Sequence, residues 1–106
     1  MVDARPFSDS ERLDWLRLSR SENVGPVTFL ALLNRYVSAA AALEALPELA
    51  RSSGRKRAIK LFSESAAQRE MSDLAKLGGR FLALGEPVYP APLAVLADAP
   101  PLIALL

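Results

Sequence analysis

The sequence predicts a mainly α-helical chain, a small helical bundle followed by a strand-helix-strand segment that opens an α/β domain. Three observations predict it. Apolar residues recur at helical spacing up to Leu77, Gly78-Gly79 interrupts that pattern, and the residues beyond form short apolar runs separated by prolines. With 51% hydrophobic residues in 106, the chain can bury the core of one domain, or of one small domain and the beginning of another.

Residues 1–8 read as an N-terminal arm, with Phe7 placed as a staple residue. Ser8 and Glu11 form a capping box, so the first helix starts after Ser8 and runs to about Ser19. Leu13 with Leu16 and Trp15 with Leu18 give it a wide apolar face. The second helix, Pro26 to about Tyr36, is polar only at Thr28, Asn34 and Arg35, which predicts the central, buried helix. Ser38 caps an alanine-rich helix to about Leu46, where Pro47 ends it and can start a further turn to Arg51. After a Ser52-Ser53-Gly54 loop, residues 56–77 form one helix, or two with a break near Ser63, and Ser65 with Gln68 repeats the capping-box pattern. Gly78-Gly79 stops it with a left-handed cap. The helical domain is thus expected over residues 9–78.

From residue 79 the pattern changes. Arg80–Leu84 has strand length, Gly85-Glu86-Pro87 turns, Tyr89–Leu93 opens a short helix to about Ala97, and Leu102–Leu106 is a second strand-like run. So small a unit makes no stable sheet unaided, so residues 79–106 are expected to open a larger α/β domain that follows.

Between the first two helices lies Asn23-Val24-Gly25-Pro26-Val27. Asn23 tolerates left-handed backbone angles, Gly25 permits close backbone approach, and Pro26 has the fixed φ of a first helical residue. This is a helix-hairpin-helix candidate. Such an element presents backbone N–H groups at a helix N-terminus, suited to one phosphate of a nucleic acid, and here the donors are Gly25, Val27 and Thr28. An αα-hairpin in any small bundle needs a similar turn, so a purely structural role stands beside that one.

Thirteen Lys/Arg against twelve Asp/Glu leave a net charge of +1, which argues neither for nor against a nucleic-acid partner. The distribution is uneven: residues 1–60 hold ten basic and seven acidic side chains, and residues 61–106 hold three and five. Arg51, Arg55, Lys56, Arg57 and Lys60 form a run without an acidic residue, beside an expected helix start where cations oppose the macrodipole. It suits DNA phosphate or an acidic partner surface, or is simply a solvated face. Arg12, Arg17, Arg20 and Arg35 are placed to extend it, diluted by Asp14 and Glu22. Trp15, Phe29, Tyr36, Phe62 and Phe81 could stack on bases, but all except Tyr36 lie in strongly apolar company, so core packing is the better reading. Tyr89-Pro90 reads as a turn anchor.

The chain has no cysteine and no histidine, which excludes disulfides, imidazole chemistry and the usual zinc ligands; no metal and no cofactor is expected. Carboxylate pairs such as Asp9 with Glu11 or Glu64 with Glu70 have no nucleophile or phosphate cradle beside them, so no catalytic residue is assigned and no enzyme is expected. Without a secretory leader or a run long enough to span a bilayer, the expected location is cytoplasmic, with no membrane partner.

Three pieces, in order, resemble the DNA-processing protein A family (DprA, also called Smf): the Asn23-Val24-Gly25-Pro26 hairpin with its leucine-rich helix, the Leu77-Gly78 turn before a strand, and Leu84 through Pro101. The last is the most specific, with Tyr89-Pro90, Leu93, Asp98 and Pro100-Pro101 in the family's order. The resemblance spans roughly residues 10–106. It implies a helical domain of the sterile-alpha-motif or helix-hairpin-helix kind at 9–78, then an extended Rossmann-like domain opening at 79–106. It also implies single-stranded DNA binding, protection of incoming DNA in natural transformation, loading of the RecA recombinase, and a possible homodimer of the full protein. The main DNA site of that family lies in the Rossmann-like domain, beyond Leu106, so residues 1–106 are expected to be accessory. Asn23 and Val27 stand where strongly DNA-binding hairpins commonly have glycine and lysine, and Glu22 adds a negative charge before the bend. The alternative reading is a protein-protein interaction or self-association module without direct DNA contact, which salt dependence separates from the first.

Overall fold

The computed structural model describes residues 7–52, 54, 60–96 and 98–106. The elements run α1 (Asp9–Arg20), α2 (Pro26–Tyr36), α3 (Ala39–Ser52), α4 (Glu64–Lys76), β1 (Arg80–Ala83), α5 (Ala91–Ala94) and β2 (Leu102–Leu105). The chain is therefore mainly helical, with one small sheet.

Local chemistry explains most boundaries. Ser8 accepts from the Glu11 N–H at 3.1 Å while Glu11 accepts from the Ser8 N–H at 3.2 Å, a complete capping box. The Phe7 ring meets Trp15 edge-on at 4.8 Å, and Trp15 in turn meets Phe29 at 4.9 Å. Ser38 caps α3 through the Ala41 N–H. α4 ends in a Schellman arrangement, with Gly78 N–H donating to Ala75 C=O and Gly79 N–H to Leu74 C=O, both at 2.9 Å, and Gly78 at φ +79°. Gly79 serves another purpose. A Cβ there would lie 2.7 Å from the Leu105 carbonyl oxygen and from Leu74, so only glycine lets β2 pass this close to α4.

Three expectations change. Pro47 does not end the third helix, which continues to Ser52 because Leu43 and Leu46 before the proline and Leu49 after it all rest on one core, and that burial outweighs the lost N–H donor. The fourth helix is capped by Ser63, not Ser65: the Ala66 N–H donates to Ser63 Oγ at 3.1 Å, which sets Phe62 and Ala67 as a hydrophobic staple in the second core. Nor is α2 the central helix. Only Phe29 and Leu32 of α2 are buried, and Val27, Ala31 and Asn34 face outward. α1 is central because its wide apolar face feeds two cores. Leu18 packs with Phe29, Leu32, Ala42, Leu43 and Leu46. Leu16 packs with Ala67 and Phe81. α1 thus touches α2, α3, α4 and both strands.

β1 and β2 pair antiparallel in the register Arg80–Leu105, Phe81–Ala104, Leu82–Ile103 and Ala83–Leu102. The excursion between them holds α5 and is tied shut by Tyr89, buried, whose hydroxyl donates to Pro100 C=O at 2.7 Å. Two strands are marginal alone, and here α1 and α4 cover them.

Candidate nucleic-acid interface

The bend at the α1–α2 junction follows its residue chemistry. Asn23 takes φ +64°, Gly25 is the extended N-cap of α2, Pro26 occupies the first helical position, and Phe29 N–H closes the first helical bond onto Gly25 C=O at 2.8 Å. Gly25 offers no side chain, and the first turn holds no acidic residue, so no side chain caps α2. Gly25, Val27 and Thr28 are exposed. Among the described residues, no atom beyond its chain neighbours lies within 4 Å of where a Gly25 Cβ would sit, so the expected close backbone approach is not made among them. The exposed N–H groups and the helix dipole give this point a partial positive charge.

A clasp that the sequence did not reveal brings Lys60 to the same bend. Glu22 N–H donates to Lys60 C=O and Lys60 N–H donates to a Glu22 carboxylate oxygen, both at 2.9 Å. Next to it, buried Ser21 donates through Oγ to Arg17 C=O at 2.6 Å and accepts from Phe62 N–H at 3.1 Å, while Arg17 Nε donates to Phe62 C=O at 3.0 Å. Glu22, which by sequence dilutes a basic patch, holds one of its lysines in place. Partners 38 to 45 residues apart leave no local signal.

The basic run divides. Arg51 sits in the last turn of α3, where a cation complements the helix dipole instead of opposing it, and pairs with Glu48. Lys60 is exposed, on an irregular segment before α4. Arg55, Lys56 and Arg57 lie outside the described residues. Val24 of the bend, Leu49 of α3 and Leu61 beside Lys60 all pack on the first core, which gathers these segments around the hairpin. The α1 arginines hold the fold: Arg12 grips Glu86, Arg17 the Phe62 carbonyl, and Arg20 pairs with Glu70 at 2.9 Å. Arg35 lies over the Tyr36 ring at 5.2 Å.

Glu86, unmarked in sequence, is the most enclosed carboxylate among the described residues. It accepts from Arg12 Nε at 3.2 Å and Arg12 Nη2 at 2.7 Å, from Ala83 N–H at 2.9 Å and from Phe7 N–H at 3.2 Å. Burial pushes its carboxyl up, but the Arg12, Ala83 and Phe7 hydrogen bonds, with the Arg12 charge, more than reverse this and leave it below its ordinary value. Among the described residues, no group of three or more His, Cys, Asp or Glu is placed to hold a metal ion. No single described helix is long and apolar enough to cross a membrane.

Residues 9–72 match the family model of the DprA-like N-terminal HHH domain. That span runs from the first residue of α1 into α4 and contains the hairpin, the Ser21–Glu22 clasp and Lys60. No curated protein matches the chain.

Proposed function

Because the chain belongs to the family of DprA-like N-terminal HHH domains, we propose that it is the accessory helical part of a single-stranded-DNA-binding protein of the DprA kind and meets the phosphate backbone at its hairpin end. One observation carries this reading: an uncapped, exposed α2 N-terminus beside a lysine whose backbone is fixed to the bend by two hydrogen bonds, one to the Glu22 backbone and one to its side chain. Gly25, Val27 and Thr28 supply N–H donors, and Lys60 with Arg51 supplies charge, joined in sequence by Arg55, Lys56 and Arg57. None of these reads bases, so binding is sequence-independent. A Rossmann-like domain opening at residues 79–106 carries the principal strand-binding surface, and protection of incoming DNA and RecA loading belong to the assembled cytoplasmic protein. No catalytic step is assigned to this part.

Thr28→Glu separates binding from folding. An acidic side chain in the first turn of α2 favours the helix dipole, so the melting temperature holds or rises, while the same charge repels phosphate. The expected result is at least a fivefold loss of affinity for an oligo-dT strand at low salt. Unchanged affinity contradicts the assignment.

A further inference from the structure

At the other end of α2 from Gly25, a cleft of about 800 Å³ opens between α1, the second half of α2 and the turn after β1. Its walls are apolar, with Trp15, Leu30, Leu33 and Leu84 among them, and Val37 stands at the α2 end of it. Among the described residues, the charged side chains lining it are Glu11 and Asp14, with no Lys or Arg. Burial pushes the Asp14 carboxyl up, Arg17 opposes that and Glu64 adds to it. The two carboxylates on the wall, and not this shift, make it complementary to a cation. Val37 is 88% exposed at φ +74°, a β-branched side chain in the backbone region that suits glycine or asparagine. Strain of this kind, kept at the edge of an apolar cleft, points to use of the side chain by something outside the fold.

We propose that this cleft seats a short apolar segment of a protein partner that carries a lysine or arginine. The apolar residues of the segment rest on Trp15, Leu30, Leu33 and Leu84, Val37 closes over one end, and the cation meets Asp14. Carboxylates on the wall disfavour phosphate, so a nucleic acid is not the occupant. The surface is separate from the hairpin end, and failure here leaves the phosphate reading untouched.

Trp15 is the only tryptophan, so its emission reports occupancy directly. The probes are a synthetic amphipathic peptide of Leu, Ala and Lys and its counterpart with each Lys replaced by Glu, titrated into the 106-residue chain. The lysine peptide is expected to shift Trp15 emission saturably and to bind at least fivefold more tightly than the glutamate peptide. Asp14→Asn is expected to weaken the lysine peptide at least fivefold with the circular dichroism unchanged. Val37→Gly is expected to melt at a higher temperature yet bind at least threefold more weakly, so loss of affinity cannot come from loss of fold. No saturable shift, equal affinity for both peptides, undiminished binding by Val37→Gly, or the same emission shift with oligo-dT overturns the proposal.

Discussion

Glu86 shows how one residue can set the position of three segments. Its carboxylate joins the β1 turn, α1 through Arg12, and the chain before α1 through Phe7 N–H, with its side chain 1% exposed and that of Arg12 15%. Removing one partner of a buried ion pair costs about 3–5 kcal/mol where the other charge is left unpaired; Arg12 keeps exposed Asp9 at 3.4 Å, which places the cost at the lower end of that range. Glu86→Gln is therefore expected to lose about that much stability in urea denaturation at pH 7. Its folded-state carboxyl lies below the ordinary value, so the stabilisation is complete above the unfolded-state value and disappears as pH falls through the folded-state one. The gap between wild type and Glu86→Gln should thus narrow on acidification below about pH 4, and a gap unchanged at pH 2–3 contradicts the linkage. Gly79 gives a second test at this scale: Gly79→Ala drives a methyl group into the Leu105 carbonyl and is expected to cost about 2–3 kcal/mol, as overpacking does. An equilibrium denaturation midpoint within error of wild type would show that β2 moves freely off α4.

At the scale of elements, ends set by neighbouring residues were legible. Ser8 with Glu11, Asn23, Pro26, Ser38 and Gly78 are all used as their chemistry predicts. Choices decided across the core were not. Ser63 and Ser65 offer similar caps, and the first is used because it seats Phe62 and Ala67 together against Leu16 and Phe81. Pro47 looks like a stop until Leu46 and Leu49 on either side of it are seen packed in one core. Restoring its missing N–H by Pro47→Ala should raise stability by about 2 kcal/mol, the interior-proline penalty less the entropy the proline removes from the unfolded chain. A lower melting temperature for Pro47→Ala would mean that the helix depends on a bend there.

Across the whole molecule, α1 takes the centre that an apolar count assigns to α2, because position depends on how many partners a face can serve and not on how apolar it is. α1 has Leu18 on one side and Leu16 on another, each in its own core. α2 leaves Val27 and Val37 exposed, one at the hairpin end and one at the cleft. The candidate interface was legible in part: the bend and Lys60 stood out, but the contacts that join them run through Ser21 and Glu22 to residues about forty positions on. Charge placement follows the same division, with Arg12 and Arg17 committed to Glu86 and a carbonyl inside the fold, and Arg20 in a half-exposed pair with Glu70.

The most direct measurement is an oligo-dT titration of the ¹⁵N-labelled chain followed by amide NMR at two salt concentrations. Direct phosphate binding at the hairpin predicts the largest shifts at the Gly25, Val27, Thr28 and Lys60 amides, fading together as salt rises. Shifts centred on any other surface, or none at low salt, would contradict it.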